Sequence, residues 1–452
     1  MYWAERHALP YLTNHRTLIG YRQTTVWHRP ATAPLWVTGR TAGTAYGTVY
    51  PYPDDGNRPS DGARGWVRAR MPAERVALVH DYLNQYGGAE RVLEAFHDLY
   101  PDAPVFTSIY APDLMPSHYR DWDIRTSFMQ RLPAVHRHHQ PYLPFYPLAF
   151  RRMRLDGFDL ILSSSSAWAK GVPTPPGAIH VCYCHSPMRF AWDFHRYAER
   201  ERLAGAVRRV LPPFLALLRR WDVATSRTVD FFIANSTTVA KRIADFWGRD
   251  ATVIYPPVDT DGAAPVAPSE VGDYFLLVSR LVPYKRFDIV IEAFNALGLP
   301  LKIVGDGRAR PDLERIAGPT IEFLGTVSDE EKYRLYARCQ AAIFPAEDDF
   351  GIAQVEVQAA GRPAIALAAG GALDTVIDGV TGVLFSPQTP EALIDAVQRF
   401  QRMTFSTEHI VAHAARFSRE RFQREIADFV AERLAARHAP PAARRTEVAT
   451  WS

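Results

Sequence analysis

Short apolar runs recur along most of this chain, about half of them followed at once by a glycine, serine or asparagine and most followed by apolar residues at helical spacing. In the first half they fall at 76–79, 158–163, 179–184, 231–234 and 253–255. In the second they fall at 274–278, 301–304, 321–324, 341–344 and 363–367. A short continuous apolar run reads as a strand buried on both faces, the situation of a strand in a parallel sheet covered by helices. Strands alternating with helices confine the chain to the α/β class, in doubly wound Rossmann-like sheets. Residues 255–259 and the Gly/Ala/Pro-rich 261–268 interrupt the rhythm as a linker. The expected organisation is one α/β domain over 71–258, a linker over 259–272 and a second α/β domain over 273–415, facing each other across a cleft. An amphipathic helix over 416–438 is predicted to cross back onto the first domain. Residues 439–452 read as a loose tail.

Residues 1–70 lack the pattern. They are rich in Arg, Thr, Gly and Pro and include the turn-dense PYPDDGNRPSDGARG, so they read as a poorly ordered extension or as sequence translated from too early a start. The 47% hydrophobic and 22% charged content is that of a soluble globular protein. No apolar run approaches the roughly 18 to 20 residues that span a bilayer. The first residues lack the basic-then-apolar order of a secretory signal, and a cytoplasmic location is expected. A net charge of +3 gives no reason to expect a nucleic-acid partner. Cys182, Cys184 and Cys339 are too few for a disulfide framework. Cys182, Cys184 and His185 have no second ligand pair, and strand alternation accounts for their spacing, so no metal site is expected.

The stretch at 345–361, PAEDDFGIAQVEVQAAG, follows an apolar run and passes through a turn into a short helix. Ligands of open α/β sheets sit at such strand ends, where helix N-termini offer free N–H groups. Asp348 and Glu356 lie one before the turn and one on the second turn of the helix, which places two carboxylates on opposite sides of one pocket lip. Spacing alone equally accommodates acids that merely complement the helix dipole. Gly87-Gly88, between the first strand and its helix, lets backbone approach a phosphate, although this is not a G-x-G-x-x-G fingerprint. Two stretches, 131–154 and 207–221, interleave aromatics with Arg and His. They read either as core helices edged by snorkelling arginines or as a surface resting on anionic lipid headgroups, near Arg151-Arg152 and Arg208-Arg209.

Together, Gly87-Gly88-Ala89-Glu90-Arg91, Cys182-Tyr183-Cys184-His185-Ser186-Pro187-Met188-Arg189, Ile233-Ala234-Asn235-Ser236, Ser279-Arg280-Leu281…Lys285, the acidic 348–356 segment and Gly370-Gly371 follow in a recognisable order. From about 71 to 437 the chain resembles the family-4 retaining glycosyltransferases of the GT-B fold, and among them the bacterial mannosyltransferases of O-antigen and exopolysaccharide assembly. The resemblance implies transfer of a hexose, mannose from GDP-mannose, to a lipid-linked saccharide at the inner membrane face, in cell-surface polysaccharide synthesis. It implies no cofactor and no metal. By matching position, Arg280 and Lys285 would clamp the donor diphosphate, His185 would lie at the reacting sugar, and Asp348 would contact it. Glu356 would bind the ribose hydroxyls, Gly325 to Val327 would hold the base, and Gly87, Gly88, Phe350, Gly351 and Ile352 would complete the donor site. The chain departs from the family pattern at Asp348 and Asp374, where glutamates are usual. A one-residue shift of the turn would present Glu347 instead of Asp348. A nucleotide-sugar epimerase of the same fold and a non-catalytic sugar-nucleotide-binding subunit are the rival readings.

Overall fold

The computed structural model describes residues 75–193, 205–262 and 264–438, with side chains for 75–193, 212–262 and 264–437. The expected 1–70 extension and 439–452 tail lie outside these residues. Seven parallel strands form the first sheet: β1 (Val76–His80), β2 (Val105–Thr107), β3 (Ile124–Thr126), β4 (Leu160–Ser165), β5 (Ile179–Cys184), β6 (Phe231–Ala234) and β7 (Ala251–Val253), in the order β3-β2-β1-β4-β5-β6-β7. Six form the second: β8 (Phe275–Val278), β9 (Leu301–Val304), β10 (Ile321–Gly325), β11 (Ala342–Phe344), β12 (Ala364–Leu367) and β13 (Gly382–Phe385), in the order β10-β9-β8-β11-β12-β13. In each sheet the first strand lies inside, and the order reverses beside it.

Alternate residues of each central strand serve opposite layers. Leu78, Leu160, Leu162, Val181 and Ile233 pack with Val92, Phe96 and Leu99 on one face. Ala77, Val79 and Ile161 pack with Tyr146, Phe150 and Trp168 on the other. Both layers are buried, which is why these strands read as unbroken apolar runs. The sequence showed no sign of β2 and β3, which are three residues each; β3 is largely exposed at the sheet edge and has no apolar run to read. β13 was missed as well, and β7 ends two residues earlier than expected.

The helix Arg419–His438 leaves the second domain and lies on the first. Phe422, Ile426, Val430 and Leu434, four apart, form one stripe within the core that also holds Val92, Phe96 and Leu99. The Phe422 ring stacks on Phe96 with centroids 5.8 Å apart, and Arg419 Nη2 meets Asp98 Oδ2 at 2.5 Å.

Candidate functional site

β11 ends at Phe344, and the chain turns through Pro345–Gly351 into the helix Ile352–Ala359. Gly351 makes that entry at φ 94°, a left-handed conformation that costs glycine nothing. From the first domain the helix Gly88–Leu99 starts opposite. A Cβ on Gly88 would lie 2.5 Å from Ile352 Cδ1, so any larger residue there would push the tip of the Ile352 side chain aside. Neither helix has a side chain capping its first turn, which leaves N–H groups unpartnered by any cap at both starts. Both open on one cavity of about 390 Å³ at the carboxyl ends of β8 and β11, the reversal point of the second sheet. His185 and Asn235 complete it from the ends of β5 and β6, and Lys285, Asp348 and Asp349 from the second domain.

The charges at the cleft hold one another. Lys285 Nζ bonds Asp348 Oδ1 at 2.5 Å. Arg242 reaches across the cleft with Nη2 2.8 Å from Glu347 Oε1 and Nη1 on Asp349. Arg189 Nη1 lies 3.4 Å from Asp349 Oδ2. Asp374, where the family pattern has glutamate, accepts from Thr237 N at 2.9 Å and Thr237 Oγ1 at 2.8 Å. The register is therefore decided: Asp348 faces the cavity and Glu347 faces Arg242.

Several of the expected site residues are brought together. His185, Lys285, Asp348, Phe350, Gly351, Ile352 and Gly88 line one cavity, and Gly87 caps the helix at its edge. Others are not. Glu356 does not share a lip with Asp348. It sits one helical turn below Ile352, and Arg91 sits about one turn below Gly88, so the two meet under the floor of the cavity at 2.9 Å. Lys332 stands 3.9 Å from the other carboxylate oxygen. Burial alone would raise the Glu356 pKa, but Lys332 and then Arg91 outweigh it and hold the carboxyl below its ordinary value. Gly325 and Val327, at the end of β10 and just beyond it, do not line the cavity, because β9 and β8 separate that edge strand from β11. Arg280 is exposed, outside the cavity lining, and makes no ion pair among the described residues, so Lys285 alone of the expected clamp stands at the cavity.

Burial, and then the neighbouring His80, pull the His185 pKa down to about 3, so the ring is neutral at ordinary pH. Arg242 escaped the sequence reading, having no motif around it. Arg91 and Arg189 stood inside quoted motifs without an assigned role.

Comparisons with known proteins place both domains. Residues 86–261 match the family model described as Glycosyltransferase Family 4, and residues 272–402 match the one described as Glycosyl transferases group 1. The chain is 35% identical over 138 residues to a glycogen synthase of Pseudomonas aeruginosa, covering 28% of this chain and 27% of that protein. It is 32% identical over 136 residues to O-antigen chain mannosyltransferase C of Escherichia coli, covering 28% of this chain and 37% of that one. The chain spans between 27% and 51% of the lengths of the first curated relatives it matches. Among solved structures, Anabaena HepE in complex with UDP and glucose superposes with a TM-score of 0.61 at 20% identity, over 79% of this chain and 99% of that one. The architecture is the GT-B fold, built from two glycosyltransferase-type domains.

Proposed function

We propose that the protein is a retaining glycosyltransferase that moves a hexose from a nucleotide sugar to a lipid-linked saccharide in cell-surface polysaccharide synthesis. The observation that carries this reading is the pair of uncapped helix N-termini, one from each domain, that open on a single cavity beside Lys285 and His185. Such termini favour anions, and a leaving nucleoside diphosphate is the anion that glycosyl transfer must stabilise. Both family-model matches support the activity. Similarity to the Escherichia coli mannosyltransferase makes GDP-mannose the first donor to assay, and the UDP-bound HepE makes UDP-glucose the second.

In this reading Lys285 exchanges Asp348 for the diphosphate when donor binds. Asp348 then turns to the sugar, and Glu356 leaves Arg91 for the ribose as the cleft adjusts. The leaving phosphate takes the acceptor proton on the face it departs from, and no divalent ion takes part. Calorimetric titration with GDP, UDP and ADP separately, followed by transfer assays with the matching donor, tests this. One nucleotide is expected to bind, binding is expected to be lost in Lys285→Ala, and transfer is expected to persist in excess chelator. Failure of all three nucleotides would turn the reading toward a non-catalytic subunit, and loss of transfer on chelation, restored by a divalent ion, would refute metal independence.

The lipid-linked acceptor draws support from two segments of the first domain. Phe145, Leu148 and Leu217 are exposed there, 45%, 39% and 63%, in the same two segments as the exposed Arg151, Arg152, Arg154 and Arg220. Apolar residues mixed with cations suit an anionic bilayer surface. Arg208 and Arg209 belong to the same stretch, but their side chains lie outside the described residues. The protein is expected to float with anionic liposomes at low salt; absence from the vesicle fraction counts against a membrane-bound acceptor. No helix of the described residues is long and apolar enough to cross a membrane.

A further inference from the structure

Behind His185 a line of side chains runs from the cavity into the first domain. His185 Nε2 lies 2.8 Å from Ser164 Oγ, Ser164 Oγ 3.1 Å from His80 Nδ1, and His80 Nε2 3.4 Å from Glu90 Oε1. The fold assembles this line by register. His80 at the end of β1 pairs with Ser164 of β4, Ser165 pairs with Cys184 at the end of β5, and His185 is the next residue. Glu90 comes from the first turn of the helix that follows β1. Ser164 is fully buried, His80 and Glu90 nearly so, and only His185 reaches the cavity.

A hydroxyl carries one proton, so Ser164 donates to one imidazole and accepts from the other. A carboxylate only accepts. In the tautomer that Glu90 selects, His80 carries its proton on Nε2, toward the carboxylate oxygen. Its Nδ1 then accepts from Ser164, and Ser164 accepts from a proton on His185 Nε2. The remaining His185 nitrogen, Nδ1, makes no hydrogen bond among the described residues and is left with a lone pair. We propose that His80, Ser164 and Glu90 are positioning residues that lock His185 in its Nε2–H form, so that Nδ1 is an acceptor for a hydroxyl of the donor sugar. The neutral state of the buried His185 ring agrees with this, since only a neutral imidazole has a tautomer to set.

The sugar hydroxyl rests on the nucleotide-sugar reading above; the tautomer does not. The test is a long-range proton–nitrogen NMR spectrum of the full chain labelled with 15N-histidine at neutral pH, with His185 assigned by loss of its signals in His185→Gln. The wild type is expected to show protonated Nε2 and bare Nδ1. Ser164→Ala is expected to lose that preference and Ser164→Thr to keep it. In the assay Ser164→Ala is expected to lower kcat on the order of tenfold or more, with nucleotide affinity unchanged, because a nucleotide alone lacks the sugar. A wild-type His185 protonated on Nδ1, or a Ser164→Ala spectrum like the wild type, overturns the proposal. Nucleotides that fail to bind a wild type with the expected spectrum overturn the nucleotide-sugar reading instead.

Discussion

Lys285 and Asp348 hold each other at the cavity with 17% and 24% of their side chains exposed. With three-quarters or more of each side chain covered, the cost of desolvating both charges offsets much of their attraction, and the pair contributes little net stability. Its value lies in chemistry, since a cation held at the cavity wall is available to a departing diphosphate. Lys285→Ala is therefore expected to lower kcat/KM about a hundredfold or more while the melting temperature stays within about 2 °C of wild type. A loss of melting temperature that matches the loss of activity would make the lysine structural. The family resemblance named this lysine and Arg280 together by matching position, but the structure separates them: the turn after β8 leaves Arg280 exposed and carries Lys285 to the cavity.

At the scale of elements, the crossing helix Arg419–His438 is fastened mainly by its apolar stripe. Phe422 is completely buried against Phe96 and Tyr183. Phe422→Ala is expected to cost about 3–5 kcal/mol, read as a lower denaturant midpoint, and a change under about 1 kcal/mol would show that the helix is held by Arg419 and Asp98 instead. The helix itself was legible because a four-residue repeat of large apolar side chains is a local signal. The helix Ile352–Ala359 was legible only in part. Val355 and Val357 are buried, and so are Gln354, Glu356 and Gln358, because this helix is enclosed on nearly every side and has no exposed polar face. Its start was readable from Gly351. Its burial was not.

For the whole molecule, the acids of the second domain are matched to cations of the first: Glu356 to Arg91, and Glu347 and Asp349 to Arg242. A carboxyl held below its ordinary value near 4.5 stabilises the paired state fully above that value. It loses the contribution as pH falls through the depressed one. Small-angle scattering is accordingly expected to show the cleft widening in acid, below about pH 4.5, and Glu356→Gln is expected to be wider already at neutral pH. A variant as closed as the wild type would show that other contacts close the cleft. Local sequence determined the α/β class, most of the buried strands, the crossing helix and the glycine-led helix starts, because each depends on neighbours within about two turns or one strand. The tertiary structure decided which acid meets which base and which of them face the cavity. Arg242 and Asp349 lie 107 residues apart, and Arg91 and Glu356 lie 265 apart. Contacts at such separations exist only once two independently wound sheets have set their helix starts against each other, and no local pattern encodes that meeting.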